Sequence, residues 1–531
     1  MKVTGERVGC CRIASFALVL VFMLSLSRAP GARAQDHQTL AEKLLIILKQ
    51  NHQITQAQYD ELLKEAQREK SSQQAAVQKQ VKEETVRAAK EKKEKSPLGV
   101  TASWKHNQVY FESNNGQFTM HVGGYAQFDF GGATINGRLY NALDKISSAA
   151  PGKLAGYGAE ARRIKPILEG TLFGDFDYKL QLDFGGGSTV VQDAYMSYYG
   201  FPCFANIRVG HMKEPFSLEE LTSDAWFEFT ERSVANAFVT ANQYSDRNLG
   251  IMLFNTEFQE RMTWAVGGYM QQDNSSGTSF QPYDNVNLAA RVTAAPWYAD
   301  KGCELLHLGF GFRHLFRTDN PASVNATGYT ELEYLSRPEW HLSGINTVNT
   351  GPIAAQGVNE INPEFALNYG PFSVQGEYFQ ALLNDARMYS YSGTPSTLHA
   401  SSVSSPTLDG YYVMATWFLT GEHRVYDPRY GVFARPVPRC NFNPAGGGWG
   451  AWELAARYDS IDLNDGTIHG GTEQDWTGSL IWYLNPNLKW MFDYVHAHID
   501  GAPQTSASGG SAFNIHNGDA NIFDSRFQVD F

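Results

Sequence analysis

Cysteine is scarce, with five in 531 residues. Cys10 and Cys11 precede an N-terminal apolar run, and the other three, Cys203, Cys303 and Cys440, are far apart and odd in number. That excludes a disulfide framework and any cysteine metal spacing, leaving room for one chance pair. Beyond residue 26 there is no long apolar run, so no later segment can cross a membrane as a helix. Positive charge is in deficit: from residue 97 onward 26 basic residues face 44 acidic ones, which is not a nucleic-acid-binding composition. The serine-nucleophile pattern G-x-S-x-G and a metal-type histidine pair on a helix are absent. His496 and His498 alternate with Val495 and Ala497 near a strand end, as rim residues do. No catalytic residue, metal site or cofactor is therefore assigned.

What is present begins with Lys2, Arg7 and Arg12, then the apolar run Ile13–Leu26, then "APGARAQ". This is the pattern of a secretory signal peptide over residues 1–34, with cleavage expected after Ala34. The run is short for a spanning anchor of ~20 residues.

Residues 35–96 are of a different material. Leu40, Leu44, Ile47 and Leu48 sit at helical spacing, and Asn51-His52 interrupts them. Thr55 and Gln58 then form a capping box, with Ile54 and Tyr59 at staple positions, so a second helix is expected from Gln56. Further on the pattern turns polar and ends in "KEKKEKSPLG". A self-associating coiled coil and a solvated linker are both open, because no heptad persists for three or four repeats. Either way this is a short helical leader, placed in the periplasm of an exported protein.

From about Thr101 the chain reads as strands to its last residue. "NIFDSRFQVDF" places Phe523, Phe527, Val529 and Phe531 on one face and Asp524, Arg526, Gln528 and Asp530 on the other. "DYKLQLDF", "WELAARYDS" and "NLAARVTAA" alternate in the same way. Periodicity alone does not separate a soluble sandwich from an outer-membrane barrel; connection lengths do. Short turns at "GDFDY", "YGP" and "LNPNL" alternate with long polar stretches at 131–161, 272–284, 384–408, 461–473 and 499–520. One rim of short turns and one of long loops is the rhythm of a transmembrane antiparallel β-barrel. About 16 strands are expected, or 18 depending on 328–347. A terminal strand that closes the barrel has partners on both edges, which makes Phe527, Val529 and Phe531 the candidate assembly signal. The stretch 420–449 breaks the rhythm, being long on the short-turn rim, and is expected to pack on or into that mouth.

The segment Gly210–Gly250 is too apolar for a free loop, holding Phe216, Leu218, Leu221, Trp226, Phe227, Phe229 and Phe238. Folded inward it would narrow the pore and bring Lys213, Arg232 and Arg247 to the channel as constriction or anion-binding candidates. Its acids Glu214, Glu219, Glu220, Asp224, Glu228 and Glu231 weaken the field that concentrates anions. By alternation Arg163, Lys165, Lys179, Arg208, Arg291 and Arg457 face the lumen, opposed by Glu169, Asp183 and Asp459.

"KEPFSLEELTS" followed by "FTERS" resembles the phosphate-selective porins O and P. So do "LEGTLFGDFDYKLQLDF", "VQDAYMSYYG", "SRPEWHL", "GPFSVQGEY", "LDGYYVMATWFLTGEHRVYD" and "GWGAWELAARYDSIDLND". The likeness covers nearly all of 100–531, and "LKQNHQITQAQYDELL" is similar to the family's helical leader. It implies a trimeric porin of the bacterial outer membrane, in contact with lipid, inserted by the barrel-assembly machinery and passing small anions or other small hydrophilic solutes. It also implies a third loop folded inward with basic residues at the constriction. The alternative is a plugged, non-conducting structural or adhesive barrel.

Overall fold

The computed structural model describes residues 99–531 except 106–107, 147–149, 202–204, 241–245, 271–285, 317–331, 352, 393–396, 401–403 and 505–512, together with Thr55, Gln58 and Lys64. The chain divides into the units Met1–Thr101 and Ala102–Phe531. In the first, the Thr55 N–H donates to Gln58 Oε1 at 3.0 Å and the Gln58 N–H to Thr55 Oγ1 at 3.4 Å, the reciprocal bonds of a capping box. The remainder of the leader, with its coiled-coil alternative, lies outside the described residues, as do the signal segment and Cys203. Cys303 is buried and Cys440 exposed.

The second unit is a closed wall of sixteen antiparallel strands. They are β1 Thr119–Ile135, β2 Tyr157–Leu172, β3 Phe176–Asp183, β4 Val190–Tyr198, β5 Asn206–Lys213, β6 Arg247–Glu257, β7 Met262–Met270 and β8 Val286–Ala299. Then follow β9 Glu304–Phe316, β10 Gly357–Tyr369, β11 Phe372–Asn384, β12 Thr407–Phe418, β13 Ala451–Asp465, β14 Ile468–Asn485, β15 Leu488–Asp500 and β16 Gly518–Asp530. Each pairs with its chain neighbours, and β16 closes on β1 from Ala520↔Ile135 to Asp530↔Tyr125. Phe531 continues the ladder: its N–H donates to the Gly124 carbonyl at 2.9 Å, and its carbonyl accepts from the Gly124 N–H at 3.0 Å. Below it, Gln108–Ser113 takes the same edge of β1 through Val109↔Val122 to Glu112↔Thr119. No edge of β1 is left for a foreign strand.

The two faces separate as alternation expects. Phe523, Ile251, Val413 and Trp476 point outward and exposed, while Asp524, Arg526, Gln528 and Asp530 are buried within. Apolar residues outside and charges inside is the arrangement that only lipid tolerates. No helix of the described residues is long and apolar enough to span; this wall crosses with strands.

Two connections differ from the expected pattern. The stretch 461–473 is not a loop: β13 runs to Asp465 and β14 starts at Ile468, with Asp465↔Ile468 paired. Gly466 at φ +58° supplies the left-handed turn, so the hairpin simply stands taller than its polar composition suggests. The 328–347 ambiguity resolves to sixteen strands, because Leu335–Ser336 and Val348–Asn349 form a small hairpin inside the barrel rather than wall. Within 131–161 the strands extend to Ile135 and from Tyr157, leaving helix α1, Gly137–Ile146. Asn136 Oδ1 caps it at the Leu139 N–H, 2.9 Å, and Leu139, Ala142 and Leu143 are buried.

Deleting Phe531 removes two ladder bonds and the last outward ring, a loss of ~1–3 kcal/mol at the seam. The folded fraction, read by heat-modifiable electrophoretic mobility, should fall while export continues; an unchanged fraction would show that the seam does not need its final residue.

Candidate functional site

The segment 214–240, which follows β5, folds into the barrel. Phe216, Phe229, Val234, Ala235, Phe238 and Val239 join a buried cluster with Tyr334, Phe379, Tyr412 and Phe418. Each large side chain so buried contributes about 1.5–3 kcal/mol.

Charge fixes where the loop sits. Asp224 receives Lys165 Nζ at 2.6 Å, Arg163 Nε at 3.0 Å and Arg232 Nη2 at 2.8 Å. Glu231 receives Arg162 Nε and Arg526 Nη2, each at 2.8 Å. Glu214 meets Arg313 at 3.4 Å, Glu219 meets Arg457 at 3.2 Å and Glu228 meets Arg424 at 2.5 Å. Glu220 holds Lys213 at 2.7 Å and Arg232 at 3.1 Å. The wall returns carboxylates to the loop backbone. Glu377 accepts from the Leu218 and Glu219 N–H groups at 2.9 and 2.7 Å, Asp493 from Thr230 at 2.6 Å, and Asp459 from Val234 at 3.1 Å. The six acids of 214–240 are thus all engaged by cations, five of them by cations from outside Gly210–Gly250.

Burial raises the Asp224 carboxyl, but Lys165, Arg163 and Arg232 outweigh it and hold it well below the usual carboxylate range. Glu231 is likewise pushed up by burial and pulled well below by Arg162 and Arg163. For Glu219 and Glu220 burial is not fully offset, and both stand above the ordinary range.

Two further elements enter the lumen. The hairpin Val425–Asp427/Val432–Ala434, within 420–449, folds in at the mouth nearest the chain end. Arg291 donates to its Tyr430 and Gly431 carbonyls at 3.2 and 2.8 Å. From the opposite mouth comes 332–350, whose Tyr334 hydroxyl donates to Glu360 at 2.7 Å and whose Glu339 meets Arg457 at 2.6 Å.

An open space remains on the side walled by β2–β8. A cavity of about 480 Å³ is lined by Lys179, Arg208, Lys213, Arg291 and Arg429 against the acids Glu169 and Asp193. A second, of about 250 Å³, shares Glu169, Lys179, Tyr195, Arg208 and Tyr430 with it. Lys179 is held by Asp193 at 2.9 Å and Arg291 by Glu364 at 2.6 Å. Arg208 differs. Its Nε donates to the Ser197 hydroxyl at 2.9 Å and its guanidinium lies over Tyr195 and Phe254, 4.3 and 4.9 Å from the ring centres. Among the described residues no carboxylate pairs with it.

The structure therefore divides the sequence-derived candidates. Lys179, Arg208, Lys213 and Arg291 line the cavity. Arg163, Lys165 and Arg232 are drawn to Asp224, Arg457 is buried among Glu219, Glu339 and Asp459, and Arg247 is held by Asp193 at 3.0 Å and by Asp246. His496 and His498 sit on the outer face beside Asn521 and Asp519. Sequence reasoning missed Arg313, Arg424, Lys489, Arg429 and Arg162. Arg313 and Lys489 stand on inward positions of alternating strands and were legible in principle; Arg424 and Arg429 belong to the inserted mouth segment. Arg162 was not, because a bulge opposite Gln127–Phe128 turns it inward beside Arg163.

A closed sixteen-strand wall with an apolar exterior, a charged lumen and an inward third loop is a porin of the outer membrane. The chain belongs to the family described as phosphate-selective porin O and P, whose pattern matches residues 134–531. Porin O of Pseudomonas aeruginosa is 23% identical over 421 residues, 72% of this chain and 84% of that one. An uncharacterised protein of Caulobacter vibrioides is 28% identical over 386 residues, 71% of this chain and 69% of its own length. Among solved structures, an anion-selective porin from Comamonas acidovorans matches with a TM-score of 0.47 at 10% identity, covering 78% of this chain and all of that one. The outer membrane channel DcaP of Acinetobacter baumannii gives 0.46 at 12% identity, over 79% and 99% of the two chains.

Asp224→Asn removes the carboxylate that Lys165, Arg163 and Arg232 share, at a cost of ~3–5 kcal/mol. A carboxylate whose folded pKa is depressed gives stability that is present above the unfolded value near ~4 and is lost as pH falls through the folded one. Thermal stability due to this anchor should hold from about pH 7 to 5 and drop under ~4, and the drop should shrink in Asp224→Asn. An identical acid profile in the variant would remove Asp224 as the anchor.

Proposed function

We propose that this porin prefers small anions, phosphate among them, and that they pass along the β2–β8 side of the lumen. The observation that carries this is Arg208, a guanidinium on the wall of both cavities that among the described residues has no carboxylate within ion-pair distance. Arginine keeps its charge at any working pH. In a narrow space with low-dielectric walls an unpaired cation acts strongly on a passing ion. Lys213, Lys179 and Arg291 stand around the same space but share their charge with acids. In this reading Arg232 and Arg247 shape the constriction by holding the loop, and Lys213 is its pore-facing member. The inward acids restrain the preference to a modest one.

Arg208→Ala should lower the anion-to-cation permeability ratio, read from reversal potentials in a salt gradient, by a factor of a few up to about ten. Arg232→Gln should alter conductance more than that ratio. A wild-type ratio in Arg208→Ala would refute the route, and a folded protein with no conductance at all would favour the structural-barrel reading.

The same reading takes the protein as a homotrimer inserted by the assembly machinery, with the leader 35–96 on the periplasmic side and dispensable for conduction. A chain beginning near Leu98 should insert and show the full-length single-channel conductance; loss of conductance after correct insertion would make the leader part of the channel.

A further inference from the structure

Two aspartates stand directly opposite one another in the wall: Asp459 of β13 pairs with Asp475 of β14, and both side chains are buried inside. Like charges directly opposite destabilise a sheet. A third carboxylate arrives on the inserted segment, and one oxygen each from Glu339, Asp459 and Asp475 lie within 4.8 Å of one another. Glu473, two residues before Asp475 on the same face, is also fully buried. The counter-charge is one guanidinium. Arg457 reaches Glu339 at 2.6 Å and Asp459 at 3.4 Å, and it also serves Glu219 at 3.2 Å.

Neutral donors account for part of the set. The Thr477 hydroxyl donates to Glu339 at 2.5 Å, the Thr347 hydroxyl to Glu473 Oε2 at 2.7 Å and the Val234 N–H to Asp459 Oδ2 at 3.1 Å. Among the described residues nothing donates to Asp475. It is 0% exposed, and neither of its oxygens has a hydrogen-bond partner; Asp459 Oδ1 and Glu473 Oε1 are unpartnered as well. Burying a carboxylate without donors is among the most costly things a fold can do. Oxygens that ligate one calcium ion at ~2.3–2.6 Å lie no more than about 5 Å apart, which the trio satisfies.

We propose that Glu339, Asp459 and Asp475, supported by Glu473, bind one divalent cation, calcium in preference to magnesium. Calcium accepts irregular sets of carboxylate oxygens, whereas magnesium holds its waters and demands octahedral order, for which a closed, dry cluster has little room. The ion would tie the inserted segment, through Glu339, to two adjacent wall strands.

The test uses the full-length folded protein in detergent after chelator treatment. Terbium should give saturable emission sensitised by the neighbouring Trp340, displaced by calcium, and metal analysis after calcium loading should return one ion per chain. Asp475→Asn keeps the shape and removes the repulsion, so it should fold without metal, checked by heat-modifiable mobility, and bind at least about tenfold more weakly. No saturable binding to the wild type, or equal binding by Asp475→Asn, would overturn the proposal. Should the variant not fold, the wild-type stoichiometry decides alone: one ion supports the site and none refutes it.

Discussion

The arrangement depends on one exchange of charge across the lumen. The inward loop carries carboxylates and the wall around it carries arginines and lysines; the wall's own carboxylates face the loop's backbone N–H groups. A barrel in lipid has no choice about putting its charges inside, and the interior, once filled, has little water to screen them. Such pairs add little net stability, because desolvation consumes most of the Coulomb gain, yet breaking one leaves a stranded ion. Their effect is positional. The loop can sit where every acid finds its base and in few other places, while the phenylalanines supply the burial that keeps it there.

That exchange also decides what is left for the solute. Arg163, Lys165, Arg232, Arg313, Arg457 and Arg526 are occupied in holding the loop, and the field they present to the pore is largely cancelled. The mouth hairpin at 425–434 and the inserted segment at 332–350 take up further volume. Open space survives on the β2–β8 side, and there the balance of lining charge turns positive. In the proposed route, selectivity is a residue of the packing, set by which cation the internal pairing leaves over.

Much of this was legible in the sequence. Alternation in "NIFDSRFQVDF" and "DYKLQLDF" assigned the faces correctly, because a strand in a barrel wall has no third direction to point. The aromatics of Gly210–Gly250 marked a loop that had to be buried. Alternation gives a face but no partner, so it could not say that Lys165 goes to Asp224 while Arg208, on an equally inward position, goes to a serine and two rings. Polar composition misplaced 461–473, since a hairpin rising beyond the membrane needs no apolar face. The role of 332–350 depends on contacts with strands more than a hundred residues away, such as Thr347 with Glu473, and no local pattern encodes those.

The bulge in β2 has a consequence of its own. Before it, even-numbered residues look inward: Glu160 meets His341 and Arg162 meets Glu231. After it the odd numbers do, with Arg163, Lys165 and Glu169. The strand thus carries a frameshift, confined to a single residue and absorbed while β1 runs on without a gap through Gln127 and Phe128. Two consecutive arginines can face the same loop only at such a joint. An insertion of one residue, which elsewhere in the wall would turn a whole strand inside out, is here the means by which the lumen gains a second cation at one level of the barrel.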